Sequence, residues 1–149
     1  MNTRKIKPPT YLLISIFAMI ALHFLFPLMI IIPPVWNLLG IIPLAIGVTI
    51  NLMADKAFHV ADTPVCPFKE SSTLVTKGIY GISRNPMYLG FILILLGIAV
   101  LIRSLTPYAV ILAFAILIDR AFISIEEQRL ASTFGPQWMN YKKSTGRWL

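Results

Sequence analysis

Apolar residues fall along this chain in four runs separated by short polar breaks. Tyr11 to Ile32 and Val35 to Met53 contain no Asp, Glu, Lys or Arg. Each is near the ~20 residues that a helix needs to cross ~30 Å of hydrocarbon. A third run, Tyr88 to Ile102, is closed by Arg103 and Ser104, and a fourth opens at Pro107 and continues to Asp119. The pattern predicts four membrane-spanning helices over about 11–32, 35–53, 86–102 and 107–125, the last two short or tilted. Pro33 and Pro34 form a tight turn between the first two, because proline has no N–H to donate and stops a helix. The expected fold class is all-α: a polytopic membrane protein with about four transmembrane helices and a C-terminal amphipathic helix, residues 1–149 forming a single integral-membrane domain.

The polar segments carry the rest of the organisation. Ala54 to Asn85 holds Pro64, Pro67, Gly78 and Gly81 and a Glu70-Ser71-Ser72-Thr73 patch, and reads as a loop too long to be a mere connector. Asp119 to Leu149 starts as a helix with Ile123, Leu130 and Phe134 roughly in line. Trp138, Tyr141 and Trp148, with Lys142, Lys143 and Arg147, suit a headgroup interface. A hairpin of the third and fourth spans returns the segments 74–90 and 119–147 to one membrane face, where they could build a site together.

Composition agrees with the runs. The chain is 57% hydrophobic and 13% charged, with a mean hydropathy of +0.78, which excludes an ordinary soluble domain. Arg4, Lys5 and Lys7 precede the first span; Lys56, Lys69, Lys77 and Arg84 follow the second; Arg120, Arg129, Lys142, Lys143 and Arg147 follow the fourth. Only Arg103 falls on the other side. Basic residues stay cytoplasmic, so both termini and the long loop are expected in the cytosol. All six acids, Asp55, Asp62, Glu70, Asp119, Glu126 and Glu127, fall on that side too. The net charge of +7 thus serves topology and attraction to anionic lipid; no nucleic-acid-binding pattern of interleaved aromatic and basic residues is present. The first run is too long for a typical signal-peptide core and is read as a retained helix. The single Cys66 allows no internal disulfide and fits a reducing compartment.

Two places have chemical potential. Asn85 is a strong helix cap and Pro86 a favourable first helical residue. With Arg84 beside them, the helix start offers free N–H groups, a positive dipole end and a guanidinium, the ingredients of an anion site. The same features also describe an arginine snorkelling to phosphates beside a capped helix. Further on, helical spacing sets Glu126 on the face of Ile123 and Leu130, and Glu127 beside Ala131. At least one carboxylate should point into protein and require a cation or donors there, although two solvated charges, or pairs with Arg120 or Arg129, are equally compatible. His23, inside the first span with no acid in spans one or two, reads as a neutral packed histidine. Nothing beyond its loop position supports His59 as a base. No metal-ligand cluster is visible.

Gly78, Tyr80, Arg84, Pro86, Tyr88 and Gly90, followed by Glu126, Glu127, Leu130, Phe134, Gly135 and Tyr141, resemble the paired signature of the isoprenylcysteine carboxyl methyltransferases and related integral-membrane phospholipid methyltransferases. The resemblance covers about Leu74 to Arg147. Asn85 stands where the isoprenylcysteine enzymes usually have His, and Trp138 where Tyr is usual. Asn85-Pro86-Met87-Tyr88 is more similar to the phosphatidylethanolamine N-methyltransferase branch. The resemblance implies an S-adenosylmethionine-dependent methyltransferase acting on a lipid or prenylated amphiphile, most like isoprenylcysteine carboxyl O-methylation, with phospholipid N-methylation as the alternative. It implies a cofactor site made by Gly78, Tyr80, Arg84, Asn85, Pro86, Tyr88, Glu126 and Glu127, with Arg84 and Glu127 as the catalytic pair. In that reading Arg84 and the helix start could hold the cofactor carboxylate, a glutamate its ammonium or ribose, and the tyrosine rings its sulfonium. A membrane reductase using NADPH and a non-enzymatic scaffold are the competing classes.

Overall fold

The computed structural model describes residues 7–26, 28–62 and 73–149. Arg4, Lys5, Cys66, Lys69 and Glu70 lie outside them. Helix α1, Pro8–Leu25, begins with a proline, which suits a first turn whose N–H groups have no helical partner. It ends at Leu25 although the apolar run continues to Ile32. Phe26 precedes Pro27, and a residue before proline is driven out of the helical region, here to φ −138°, ψ 65°. A 3₁₀ turn, Trp36–Gly40, leads into α2, Ile41–Val60. Helices α3, Pro86–Ile102, and α4, Thr106–Ile118, form the expected hairpin. Helix α4 continues through a π turn, Asp119–Ile123, into α5, Ser124–Phe134. The amphipathic helix expected at the C-terminal end is broken at Gly135 (φ 47°), and α6, Pro136–Ser144, follows. Positive φ suits glycine, and the proline after it starts a new helix rather than extending the old one.

Pro8–Leu25, Trp36–Val60 and Thr106–Phe134 are each long and apolar enough to cross a membrane, and α3 is a shorter apolar helix. Only 11%, 17% and 22% of the most apolar stretches of those three are buried within the protein. Their apolarity therefore serves lipid contact rather than a core. Leu13, Phe17, Phe24, Leu52, Leu112 and Ile116 all face outward. Among the described residues there is no β-strand, only two isolated bridges. The molecule is an all-helical, polytopic membrane protein.

Glycines set how closely the second and third helices approach. Gly40 meets Gly97 and Gly47 meets Gly90 across the antiparallel pair of α2, with its preceding turn, and α3. A Cβ at Gly47 would stand 2.6 Å from the Gly90 carbonyl oxygen, and one at Gly97 the same 2.6 Å from that of Gly40. Lipid tails give no hydrophobic drive for helices to associate, so close backbone packing through small residues supplies it. The packed core lies where α1, α3, α4 and the π turn meet, around Met19, Tyr88, Phe91, Leu95, Phe114, Ile118 and Phe122.

The α3–α4 turn is tied down at the opposite end from the motif residues. Arg103 adopts φ 72°, and its Nε donates to the Ile32 carbonyl at 2.9 Å. His23 Nδ1 meets the hydroxyl of fully buried Ser104 at 3.0 Å. Ser104 is thus a hydrogen-bond partner of the intramembrane histidine.

Candidate active site

The start of α3, the α4–α5 junction and the segment after α6 converge on one charged cluster. Arg84 Nη2 lies 3.2 Å from Glu127 Oε1, the two side chains being 7% and 9% exposed. The Arg84 guanidinium also lies over the Trp138 ring, 5.5 Å from its centre, a cation–π arrangement. Arg147 completes the group. Its Nη2 reaches Glu127 Oε2 at 2.6 Å, its Nε donates to Glu127 Oε1 at 3.3 Å, and its Nη1 lies 3.2 Å from Asp119. The carboxylates of Glu127 and Asp119 raise the Arg147 pKa above its ordinary value, the Glu127 hydrogen bond contributing most.

Glu127 is thus held on both oxygens, whereas Arg84 is not satisfied: its Nε and Nη1 are buried and have no hydrogen-bond partner among the described residues. A buried donor left unmade costs roughly 1–3 kcal/mol, and more when charged. Unmet donors on a buried guanidinium at a helix start are what an anionic ligand would satisfy.

Glu126 has a different environment. The Tyr88 hydroxyl donates to its Oε1 at 3.0 Å, and the Tyr88 ring packs among Phe91 and Phe122. The two neighbouring glutamates therefore diverge, Glu127 into the arginine cluster and Glu126 toward the α3 tyrosine. Asn85 occupies the N-cap position of α3, but its side chain makes no capping bond. Instead its Nδ2 donates to the Arg147 carbonyl at 3.0 Å, and its backbone N–H to Ser83 Oγ at 3.1 Å. The expected cap is in fact a tie to the segment after α6. Pro86 is fully buried at the first position of α3.

Gly78 and Tyr80 stand beside this cluster, in a 3₁₀ turn over Gly78–Gly81. Gly78 has φ 65° with open space around it, a backbone conformation that favours glycine. Tyr80 packs edge-on against Phe58 at 5.3 Å, and its carbonyl accepts the Tyr141 hydroxyl at 2.6 Å. That contact braces the turn between α2 and α6. Burial raises the Tyr80 pKa, and pushes that of Tyr141 up to about 12 against a smaller opposing effect of Arg84. Beyond the Tyr80–Tyr141 contact lies an open cleft of about 680 Å³, lined by Leu74, Thr76 and Gly81 on one side and by Gln137, Asn140, Ser144 and Thr145 on the other.

Sequence reasoning linked Arg84 and the acid pair but missed three participants. Trp138, read as an interfacial aromatic, is 2% exposed and lies under Arg84. Arg147 was read with the interfacial lysines, and Asp119 as one of six acids on the cytosolic side. A lone arginine outside any periodic segment carries no sequence signal of its partner. His59 is exposed and pairs with Asp55 at 3.3 Å on α2, apart from this cluster.

A model of the phospholipid methyltransferase family matches residues 35–137, more than two thirds of the chain. The chain belongs to that family. Among curated proteins it is similar to the protein-S-isoprenylcysteine O-methyltransferases B and A of Arabidopsis thaliana, at 38% identity over 76 residues and 35% over 80. Those matches cover 49% and 52% of this chain and 37% and 39% of the plant proteins. It is also similar to the cobalt-zinc-cadmium resistance protein CzcN of Cupriavidus metallidurans, at 38% identity over 78 residues, covering 52% of this chain and 35% of that protein. The matches span little more than a third of each curated relative. The whole chain superposes on 53% of the eukaryotic intramembrane Ras methyltransferase ICMT with a TM-score of 0.71 at 24% identity, a likeness of fold.

Proposed function

We propose that this protein is an S-adenosylmethionine-dependent methyltransferase acting on a membrane-embedded amphiphilic acceptor, most like isoprenylcysteine carboxyl O-methylation. The observation that carries this reading is Arg84, a buried guanidinium with two unmet donors at the head of α3. The donor's carboxylate has the charge and the paired acceptors to meet them. Glu126 is the better partner for its ammonium, because Glu127 is already held on both oxygens by Arg84 and Arg147. Tyr88 keeps Glu126 oriented. In this reading Arg84 binds, and Glu127 serves as its charge partner rather than touching the acceptor.

S-adenosylmethionine would supply a methyl group already activated on a sulfonium. The protein's task is then to bind, align and exclude water. A carboxylate acceptor needs no proton removed, which suits a cluster without histidine. The names of the plant relatives support the same acceptor class. Phospholipid N-methylation is the second reading. Asn85 favours it, and Glu126 beside Tyr88 offers a carboxylate that could take the proton of an amine. The distribution of basic residues supports a cytosolic position for this end of the bundle and for both termini.

Calorimetry with S-adenosylmethionine and S-adenosylhomocysteine on detergent-purified protein tests the donor, with Arg84→Ala and Glu126→Gln alongside and NADPH as a control. Saturable nucleoside binding, lost in both variants, is expected. Folded wild type that binds neither nucleoside, or binds NADPH instead, would end the proposal. Transfer of labelled methyl to a farnesylated cysteine acid rather than to phosphatidylethanolamine then separates the two acceptors.

A further inference from the structure

We infer that Arg147 is a positioning residue of this site, acting on Arg84 through Glu127; the inference rests on the methyl-donor reading above. The segment that carries it runs beside the motif before α3, with Ser83 and Gly146 in a parallel bridge. Arg84 N–H donates to the Gly146 carbonyl at 3.0 Å, and Asn85 Nδ2 to the Arg147 carbonyl at 3.0 Å. These ties use the backbone of the segment, so they do not depend on the Arg147 side chain.

That side chain has a separate task. Its Nε and Nη2 grip the two oxygens of Glu127 at 3.3 and 2.6 Å, while Nη1 anchors on Asp119 at 3.2 Å. A two-point grip fixes the plane of a carboxylate as one contact cannot. With its plane fixed, Glu127 offers Arg84 a single oxygen and engages only Nη2, so Nε and Nη1 stay unpaired. Released from Arg147, Glu127 can turn and pair with Arg84 through both oxygens. The donors that the ligand's carboxylate requires would then be consumed inside the protein. Arg147 therefore keeps Arg84 open, and its loss closes the site while leaving every ligand-touching side chain in place.

The test measures S-adenosylhomocysteine affinity by calorimetry, together with the melting temperature of the nucleoside-free protein, for wild type, Arg147→Ala, Arg147→Lys, Glu127→Gln and the Arg147→Ala/Glu127→Gln pair. The expected result is about a tenfold loss of affinity in Arg147→Ala and a partial recovery in Arg147→Lys, whose ammonium cannot grip both oxygens. No further loss is expected when Arg147→Ala is added to Glu127→Gln, because a positioning effect has nothing left to act on. Unchanged affinity in Arg147→Ala, with or without a lower melting temperature, would overturn the inference and reduce Arg147 to a structural tie. Additive losses in the double variant would overturn it as well. Should Arg147→Ala fail to fold, Arg147→Lys decides: an affinity equal to wild type overturns the proposal. Wild type that fails to bind the nucleoside would instead refute the methyltransferase reading itself.

Discussion

Arg84 and Glu127 lie 3.2 Å apart with less than a tenth of either side chain exposed, and their environments are unequal. Glu127 has a second cation in Arg147, whereas Arg84 pairs with no other carboxylate among the described residues. Breaking a buried pair from one side leaves an uncompensated charge and costs about 3–5 kcal/mol. Glu127→Ala is therefore expected to destabilise the nucleoside-free protein by about that amount. Arg84→Ala should cost distinctly less, since Glu127 keeps Arg147. Thermal unfolding in detergent compares them, and equal losses would contradict the asymmetry.

Helix approach through glycine makes a second prediction. A Cβ at Gly97 would meet the Gly40 carbonyl and the Leu44 Cβ, both at 2.6 Å, neither of which is the far end of a flexible side chain. Gly97→Ala should force α2 and α3 apart and cost about 1–3 kcal/mol, in the range of overpacked cores. Gly78→Ala meets open space and carries only the strain of φ 65°, about 1–2 kcal/mol. Enlarging the side chain beyond Cβ separates the cases: Gly97→Val should be far worse than Gly97→Ala, with no comparable steric step from Ala to Ser at Gly78. Melting temperatures of the four variants give the comparison.

Alkaline stability follows from Tyr141. Its hydroxyl donates to the Tyr80 carbonyl at 2.6 Å, and burial lifts its pKa to about 12, against an ordinary value of 10.0. The folded state thus retains a proton that the unfolded chain releases first. The associated stability is present below pH 10 and is lost as pH rises through about 12. Tyr141→Phe should flatten the fall in unfolding temperature over that window, while costing about 1 kcal/mol at neutral pH for the lost hydrogen bond. A fall of unchanged steepness in the variant would assign the alkaline transition to other groups.

Tyr88 offers a milder probe of Glu126. Removing the hydroxyl that donates to Glu126 at 3.0 Å leaves that side chain free to turn. Tyr88→Phe is expected to weaken nucleoside binding about fivefold, the equivalent of about 1 kcal/mol. Glu126→Gln should weaken it more. A Tyr88→Phe protein that binds as tightly as wild type would argue against Glu126 as the ammonium partner.

Much of the architecture was legible because hydropathy reports directly on partition into lipid. All four apolar runs are helical over most of their length, and the motif residues before α3 and after α4 meet at one end of the bundle. Helix ends were less legible. They depend on local backbone chemistry, such as Phe26 before Pro27 and Gly135 before Pro136, rather than on the extent of the apolar run. Trp138 was misread because an aromatic near lysines has the same signature at a headgroup interface as under a buried arginine.

The sequence by itself determined a membrane-embedded helical protein, the return of the Arg84 and Glu126-Glu127 segments to one membrane face, and membership of a methyltransferase-like group. Only the tertiary structure decided which glutamate serves which partner. Eight residues separate Asp119 from Glu127, and at about 100° per residue a regular helix would set them roughly 80° apart. The π turn at Asp119–Ile123 absorbs one residue, with the Ser124 N–H bonded back to the Asp119 carbonyl. The effective rotation becomes that of about seven residues, and the two acids come within roughly 20° of one face. One guanidinium, that of Arg147, can then reach both. A helical pattern read from sequence assumes a constant period, so a single inserted residue in the hydrogen-bond ladder is invisible to it, and so is the charged cluster built on that residue.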